Sequence, residues 1–315
     1  MDWKGVYNAK DGEVYLMNGI IPINKERGMT SHDVVAKVRG ILKTRKVGHS
    51  GTLDPNVDGV LPVCVGRATK VVDYLMDFGK TYKGSITLGF STTTEDLDGD
   101  IVDQKKMTEP LSDDQINATL NSMTGTLIQI PPMYSAVKVN GRKLYEYARA
   151  GQTVERPERK INVYQFKQIK PTQFDPEKGQ QTIFFEVKCG KGTYVRTLAV
   201  DFGLKFDLPA VMSDLTRLSS GGFGIDECLT LSELEDARDE GQLSDVIYPL
   251  DRALKNFNSV IITDAEWKVV QNGGFLKRPK TDLIISLKYK GNIQALYQYD
   301  EEYQLYKPKK MLLVK

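Results

Sequence analysis

Residues 48–55 read Gly-His-Ser-Gly-Thr-Leu-Asp-Pro and carry the one plausible nucleophile of the chain, Asp54, at the end of a tight loop. The two glycines allow positive φ angles and a close approach of the backbone to a ligand. Pro55 disfavours the α-helical region for the residue before it, so we expect Asp54 to be extended and to present its carboxylate. Because Asp and Pro are also ordinary turn residues, a capped surface turn is the alternative interpretation.

A basic run lies just before this loop. Its cations are Lys37, Arg39, Lys43, Arg45 and Lys46, and no acid interrupts them. Clustered positive charge attracts phosphate groups, so the candidate carboxylate stands beside a stretch suited to nucleic acid. Lys43, Arg45 and Lys46 are the predicted RNA contacts of this run.

The composition limits the class of protein. The chain has 315 residues, which favours two domains. Hydrophobic residues at 40% and charged residues at 27% are typical of a globular protein. No apolar run approaches the roughly 18 residues of a membrane span, and the first residues lack a signal-peptide core, so we expect a cytoplasmic protein. The net charge of +2 does not by itself indicate nucleic-acid binding.

No metal site or disulfide is expected. The cysteines are Cys64, Cys189 and Cys228, and the histidines are His32 and His49. Their number and spacing fit neither a disulfide framework nor a zinc site. The acidic loop at 92–100 places Thr94 and Lys105 where a calcium-binding EF-hand loop needs Asp and Glu.

Periodicity predicts the main elements. A cap signal at Thr30 begins an amphipathic helix, and a short buried strand at 61–66 is followed by a helix at 67–75. Residues 81–89 alternate as a half-buried strand, with Tyr82 on the apolar side.

The segment 129–151 mixes tyrosines with basic residues. The candidates for RNA contact are Tyr134, Lys138, Arg142, Lys143 and Arg149. Aromatic rings interleaved with cations suit stacking on bases and contact with phosphates. A hairpin whose tyrosines fill the core explains the composition equally well, and both interpretations stay open.

A glycine-rich turn at 190–193 leads into a helix that starts near Tyr194. The turn lacks the residue order of a P-loop, which disfavours nucleotide hydrolysis. Arg196 falls in the first turn of this helix, where the helix dipole disfavours a cation, so we expect a carboxylate partner for it.

After Pro249 the composition changes. A capped helix from Thr263 is followed by strands between 283 and 314, broken at Gly291 and at 300–302. These residues predict a small β-rich unit, with a domain boundary near Asp251.

The chain resembles the TruB family, the synthases that make pseudouridine at position 55 in the T arm of tRNA. The blocks that carry the resemblance are Asn-Lys-Glu-Arg-Gly-Met-Thr-Ser-His-Asp-Val-Val from Asn24, residues 48–55, Gly-Arg-Ala-Thr-Lys from Gly66, Lys-Thr-Tyr-Lys from Lys80, Tyr-Ser-Ala-Val-Lys from Tyr134, Leu-Tyr-Glu-Tyr-Ala-Arg-Ala-Gly from Leu144, and Lys-Gly-Thr-Tyr-Val-Arg-Thr from Lys191. They extend over most of the region from Asn24 to Arg217.

The resemblance implies an α/β (α+β) catalytic domain on a mixed, largely antiparallel sheet of pseudouridine synthase type. This domain is expected to cover 1–250, with an RNA-gripping insertion at 129–157. A small C-terminal β-rich domain of the PUA-like, RNA-binding type is expected over 251–315.

The resemblance also implies roles for single residues. Asp54 matches the catalytic aspartate, Tyr82 the aromatic residue beside the target base, and Arg196 the arginine that pairs with the aspartate. The positions that match substrate-binding residues are His49, Lys25, Tyr194 and Asp96. The chain departs from the commoner family pattern with Thr93 in place of aspartate and Ser50 in place of threonine.

The resemblance implies tRNA as the partner, and we expect no cofactor, no membrane, no obligatory protein partner and a monomer. Isomerising uridine adds, oxidises and hydrolyses nothing, which fits this expectation. The alternatives are a synthase acting on another RNA, such as ribosomal RNA, and a non-catalytic tRNA-binding or tRNA-folding protein, which would not need an acid at position 54. A serine hydrolase built on Ser50 is disfavoured because Thr52 replaces the glycine of Gly-x-Ser-x-Gly.

Overall fold

The computed structural model describes residues 18–313, which fall into two compact units. The first unit contains the described residues up to Asp77 together with those from Ser220 onward, and the second is Phe78–Ser219. In sequence, the second unit is therefore an insertion within the first. Within the described residues, no helix combines the length and the apolar character needed to cross a membrane.

The first unit opens with antiparallel strands. The strand Asp58–Val65 pairs with Gly19–Lys25 on one side, and Val47–His49 also pairs with it. Its side chains are buried almost without interruption. The strand predicted at 61–66 is thus confirmed, although it starts three residues earlier and ends one residue earlier.

The helix Ser31–Ile41 begins where the sequence predicts it. Thr30 Oγ1 accepts a hydrogen bond from Asp33 N at 3.1 Å, and Asp33 accepts one from Thr30 N at 2.8 Å, which completes a capping box. The predicted apolar stripe is buried, and its members are Val34, Val35, Val38 and Ile41. The helix predicted at 67–75 consists of a 3₁₀ turn, Gly66–Val71, followed by the α-helix Val72–Met76.

Short elements connect this sheet to the C-terminal part of the first unit. They are the strand Phe223–Gly224, the 3₁₀ turn Ile225–Glu227, the helices Leu231–Asp239 and Leu243–Val246, and the 3₁₀ turn Leu250–Leu254. The C-terminal sheet follows, with strands in the order Asn258–Ile261, Ile284–Tyr289, Asn292–Asp300 and Leu305–Met311. Its first pair is parallel and its other pairs are antiparallel. The strands predicted after 283 and their two breaks are confirmed.

The helix predicted from Thr263 runs over Asp264–Val270. It begins with a capping box between Thr263 and Glu266. Gly273 adopts a φ of +72° after it, a left-handed conformation that suits the chain beyond a helix end.

The C-terminal sheet and the N-terminal strands share one hydrophobic core. Leu296 and Leu312 pack in the same buried cluster as Ile20, Cys64 and Leu75. A second cluster, around Tyr297 and Tyr306, lies within the C-terminal part alone. The domain boundary near 251 and the PUA-like assignment stay predictions. The shared core means that cutting the chain at 251 would expose apolar surface.

The second unit is built on an antiparallel sheet. Its strand order is Ala210–Ser220, Lys80–Leu88, Gln180–Cys189, Arg159–Asp175 and Gly125–Gln129. Two hairpins accompany it, Phe90–Thr92 with Ile101–Gln104 and Lys138–Val139 with Arg142–Lys143. Its helices are Asp113–Ser122, Leu144–Arg149 and Val195–Leu204. Helices combined with mostly antiparallel strands confirm the predicted mixed α/β class.

Candidate active site

The loop that carries Asp54 is anchored by the first residue of the first helix. Ser31 Oγ accepts a hydrogen bond from Leu53 N at 2.9 Å and lies 3.3 Å from Leu53 O, to which it donates. Leu53 is buried at 4% exposure, whereas Asp54 is only half-buried. On the other side, the Asp54 carbonyl accepts from Val57 N at 3.1 Å. The backbone around Asp54 is therefore fixed while its side chain stays accessible.

Lys25 supports the same loop through hydrogen bonds to backbone carbonyls. Its ammonium donates to the carbonyls of Glu26, Met29 and Pro55 at 2.9, 2.7 and 3.1 Å, and the side chain is buried at 1% exposure. Pro55 directly follows Asp54, so one of these bonds holds the residue next to the candidate nucleophile. The geometry shows Lys25 as a support of the loop, and its predicted contact with substrate stays a prediction.

His49 is half-buried at the start of the loop. Its Nδ1 accepts a hydrogen bond from Gly51 N at 3.3 Å, which assigns the proton of the neutral ring to Nε2. The His32 ring meets it edge to face, with centroids 5.7 Å apart. Gly51 has a φ of +136°, a conformation that a side chain would strain.

In the second unit, Arg196 gathers two segments that are distant in sequence. Its guanidinium donates to the carbonyls of Thr94 and Tyr134, each at 2.9 Å, and one of its nitrogens lies 3.6 Å from a carboxylate oxygen of Asp96. Arg196 is 6% exposed and Asp96 is 9% exposed. The structure thus brings three predicted site residues together, and the acidic partner expected for a cation in this first helical turn includes Asp96.

The acidic loop also bonds to Thr197, the residue that follows Arg196 in the helix Val195–Leu204. Thr197 Oγ1 donates to a carboxylate oxygen of Glu95 at 2.7 Å, and Glu95 O accepts from Met212 N at 3.0 Å. Burial raises the pKa of Glu95 above its ordinary value, while the bond from Thr197 and the charge of Arg196 act in the opposite direction. Glu95 adopts a φ of +66°, so this loop carries local backbone strain.

Tyr82 is buried at 7% exposure in the middle of the sheet of the second unit. It lies opposite Val187 on one neighbouring strand and Arg217 on the other. Its predicted position on the buried side of the strand is confirmed, while its role beside a base stays a prediction.

Asp54, His49 and Lys25 belong to the first unit, whereas Tyr82 and Arg196 belong to the second. The predicted pair of Asp54 with Arg196 joins residues of different units, and it stays a prediction.

Two family models together match residues 39–255 of the chain. "TruB family pseudouridylate synthase (N terminal domain)" matches residues 39–195, and "tRNA pseudouridylate synthase B C-terminal domain" matches residues 196–255. A relative from Pediococcus pentosaceus named "tRNA pseudouridine synthase B" is 78% identical over 299 residues, which cover 95% of this chain and 100% of that protein. The chain belongs to the TruB family of pseudouridylate synthases. It is therefore an isomerase.

Further comparisons agree with this assignment. A protein of the same name from Ligilactobacillus salivarius is 58% identical, with 94% of this chain and 99% of the relative covered. Among solved structures, the "Crystal Structure of a Cbf5-Nop10-Gar1 Complex" contains a similar chain with a TM-score of 0.70 and 26% identity, covering 94% of this chain and 85% of that one. The predicted family and the pseudouridine synthase fold are confirmed.

Tyr194, another predicted site residue of this TruB family chain, lies at the start of the helix that carries Arg196. Tyr194 is the N-cap of the helix Val195–Leu204 and is half-buried. The Gln129 amide accepts from Tyr194 N at 2.8 Å and donates to Tyr194 O at 3.1 Å, and Gln129 is buried at 3% exposure. A single buried glutamine thus fixes the residue from which the helix starts.

The segment 129–151 contains the hairpin of the second interpretation, whereas its contact with RNA stays a prediction. A hairpin is present, and the tyrosines that follow it are half-buried and lie against cations. Arg142 lies 4.5 Å from the Tyr147 ring centre, whereas Lys143 and Arg149 each lie 5.3 Å from that of Tyr145. Lys138, Arg142 and Arg149 are exposed. Arg142 and Arg149 are thus held at the surface over tyrosine rings, which suits contact with an anionic partner.

The exposed cations of the first unit's basic run lie just before its site loop. Lys43, Arg45 and Lys46 are exposed, and Lys43 adopts a φ of +46° where the chain turns after the helix. Their predicted contact with RNA stays a prediction.

Sequence reasoning missed two buried cations of this TruB family chain. Arg217 is 1% exposed and lies opposite Tyr82, and Lys80 is 8% exposed and lies opposite Cys189. The strand Ala210–Ser220 also contains Ser213, Asp214 and Thr216, so the sequence carried no signal that Arg217 is buried. Gln129 and Glu95 carried no such signal, because their partners come from other elements.

Proposed function

We propose that this isomerase converts uridine 55 in the T arm of tRNA to pseudouridine, with Asp54 as the catalytic carboxylate. The observation that carries the proposal is the 78% identity, over nearly the whole chain, to a protein named tRNA pseudouridine synthase B. The anchored, accessible Asp54 loop supports the role of Asp54. A pure RNA binder would gain nothing from an acid beside a phosphate-attracting run.

The reaction breaks the C1′–N1 bond of uridine, turns the base and forms a C1′–C5 bond. The C5 proton is lost and N1 gains a proton, so the atoms balance without an oxidant or a co-substrate. Asp54 can attack C1′ or C6 as a nucleophile, or remove the C2′ proton. In the proposal Arg196 pairs with Asp54, because a nearby cation favours the ionised form of a carboxylate.

Reaching the target base has an energetic cost. A uridine stacked in a loop must be extruded, which costs roughly a few kcal/mol. In the proposal Tyr82 contacts the extruded base, with His49, Lys25, Tyr194 and Asp96 around it. Two kinds of contact offset the cost of extruding the base. They are phosphate contacts, from the basic run and from the insertion at 129–157, and stacking on Tyr134. A PUA-like domain at 251–315 adds further RNA contacts.

The position is tested by incubating the protein with an unmodified tRNA transcript and mapping pseudouridine chemically. We expect one product site, at position 55, and none in a transcript with cytidine there. A product at another position, or in another RNA only, would refute the proposed substrate.

The role of Asp54 is tested by Asp54→Asn. Formation of pseudouridine should be abolished while tRNA binding is retained, since removing a negative charge does not weaken attraction to phosphate. Asp58→Asn is the matched control, because Asp58 lies on the same segment in a surface ion pair with Arg27 at 3.2 Å. Turnover by Asp54→Asn near that of the control would remove Asp54 from the mechanism.

The role of Arg196 is tested by Arg196→Lys and Arg196→Met at saturating tRNA. Lysine keeps the charge without the two-pronged geometry, so much of the rate should be lost. Arg196→Met should lose nearly all of it and shift the acidic limb of the pH-rate profile upward.

Arg196 also donates to the Tyr134 carbonyl and so helps to hold the insertion at 129–157. The control for this structural role is Arg156→Met. Arg156 donates to the Pro131 carbonyl at 3.1 Å in the same insertion. If Arg156→Met and Arg196→Met lower the rate equally, with an unshifted pH profile, Arg196 only holds the insertion.

A further inference from the structure

Gln129 lies where the chain leaves the sheet of the second unit and enters the insertion at 129–157. It is the last residue of the strand Gly125–Gln129. Its partner on the neighbouring strand is Arg159, the residue at which the strand Arg159–Asp175 begins. The two residues therefore mark the base of the insertion.

The Gln129 side chain holds the backbone of Tyr194, the N-cap of the helix Val195–Leu204. Its amide accepts from Tyr194 N at 2.8 Å and donates to Tyr194 O at 3.1 Å, and the side chain is 3% exposed. Tyr194 O also accepts from Leu198 N at 3.1 Å, a bond of the first helical turn. One buried amide thus binds both polar backbone groups of the residue at which the helix begins.

The start of this helix has no local cap. The side chain of Tyr194 makes no capping hydrogen bond within the described chain. Thr197, at the position that would complete a capping box, donates to the Glu95 carboxylate instead. The helix Ser31–Ile41, by contrast, begins with a capping box of its own. A helix end without a local cap needs partners from elsewhere, and here Gln129 supplies them.

The first residues of the insertion also contact Arg196. The carbonyl of Tyr134 accepts from the Arg196 guanidinium at 2.9 Å. Tyr194 and Arg196, both predicted site residues, are therefore bound by the same end of the insertion. A displacement of Gln129 would move the helix start and the guanidinium together, and a misplacement of about 1 Å can lower a rate by on the order of a hundredfold.

We propose that Gln129 is a positioning residue for the isomerisation, because it couples the base of the insertion to the start of the helix that carries Arg196. This inference rests on the proposed function, in which Tyr194 and Arg196 act at the target base. Contact between the RNA and the insertion then aligns these two residues through the Gln129 amide. Gln129 itself touches neither the RNA nor the reacting atoms.

Gln129→Met tests the coupling, with Gln181→Met as the matched control. Gln181 is 0% exposed and lies in the same unit. Its amide holds Leu111 in the same way, since it accepts from Leu111 N at 2.8 Å and donates to Leu111 O at 3.0 Å. Leu111 lies just before the helix Asp113–Ser122, which carries no predicted site residue. Both variants therefore lose a buried amide at the start of a helix.

Methionine keeps the length of the glutamine side chain and removes both hydrogen bonds. At saturating tRNA, Gln129→Met should form pseudouridine roughly tenfold to a hundredfold more slowly than the wild type, with a KM near that of the wild type. Gln181→Met should keep the wild-type rate, and thermal unfolding should show that both variants are folded. A wild-type rate for Gln129→Met, or an equal fall for Gln181→Met, overturns the proposal. A raised KM with an unchanged kcat also overturns it, because Gln129 would then only hold the insertion.

Gln129→Glu adds a readout that a merely structural role would not move. An ionised carboxylate accepts from Tyr194 N but cannot donate to Tyr194 O, whereas a protonated carboxyl does both. Burial raises the pKa of a carboxyl above its ordinary value of about 4.3. The rate of Gln129→Glu relative to the wild type should therefore rise as the pH is lowered from about 8 to about 5.5, while the relative rate of Gln129→Met stays constant. Relative rates with the same pH dependence in both variants overturn the proposal.

The wild type separates this inference from the proposed function. A wild-type product at a position other than 55 refutes the proposed function. The same comparison of the Gln129 and Gln181 variants then tests the coupling at the position that is modified.

Discussion

Replacing Thr197 with valine tests how the acidic loop is held. Thr197 is 6% exposed, and its hydroxyl donates to the Glu95 carboxylate at 2.7 Å. Valine has nearly the same shape and no donor. Packing is therefore preserved while a largely buried carboxylate loses a hydrogen bond.

The expected loss of stability follows from the kind of bond removed. A hydrogen bond to a charged group contributes about 1.5–3 kcal/mol when buried, and the partial exposure of Glu95 reduces this to roughly 1–2 kcal/mol. At about 2–4 °C per kcal/mol for a large domain, the midpoint of thermal unfolding should fall by roughly 2–8 °C. Thr197→Ser keeps the donor and should remain near the wild type.

The loss should depend on pH in a defined direction. Burial raises the pKa of Glu95 above 4.5, so the contribution of this group to stability is fully present below 4.5 and is lost as the pH rises through its folded value. Without Thr197 the ionised form loses a partner, and the folded pKa rises further. The difference between the wild type and Thr197→Val should therefore be smallest below pH 4.5 and grow at higher pH.

Circular dichroism melts at pH 4.5 and pH 8 measure this difference, and single-turnover kinetics at saturating tRNA measure its effect on catalysis. The rate should fall more than the apparent affinity, because Glu95 adjoins the residues that contact Arg196. Equal midpoints of Thr197→Val and the wild type at both pH values would refute the reasoning. Equal loss in Thr197→Ser would show that packing, rather than the hydrogen bond, is responsible.

Three further predictions concern other parts of the chain. Burial raises the pKa of Cys64 to about 12 and that of Cys189 to about 11, so a thiol reagent at pH 8 should modify neither in the folded protein and both after denaturation. The hydrogen bond from Arg278 lowers the pKa of Glu266 from 4.5 to about 2. Above pH 4.5, Glu266→Gln should therefore lower the free energy of unfolding by less than about 1 kcal/mol. Denaturant titrations should show that this difference vanishes as the pH falls towards 2. A Cβ on Gly203 would lie 2.5 Å from neighbouring atoms, so Gly203→Ala should lower the free energy of unfolding by roughly 1–3 kcal/mol, measured by urea denaturation.

Local sequence determined several elements of this protein. The capping residues Thr30 and Thr263 begin helices where predicted, because a cap needs only a side chain and backbone groups within three residues of it. Alternation identified the strand Lys80–Leu88, since a strand with one apolar face repeats every two residues. The family, and with it the candidate Asp54, also followed from contiguous motifs.

Contacts between distant segments could not be predicted in this way. Arg196 was expected to have an acidic partner, but its bonds to the carbonyls of Thr94 and Tyr134 span about a hundred and about sixty residues of sequence. Backbone carbonyls are present at every residue, so no sequence pattern indicates which of them a guanidinium will contact. The burial of Lys25 on the Pro55 carbonyl has the same origin.

Strand register was the other property that only the tertiary structure decided. Arg217 lies opposite Tyr82 in the pairing of the strands Ala210–Ser220 and Lys80–Leu88, between two register shifts. A shift of one residue would turn every side chain of a strand to the other face, and the packing of both faces selects one register. Periodicity specifies which residues share a face of their own strand, whereas their neighbours across the sheet depend on the packing of the whole unit.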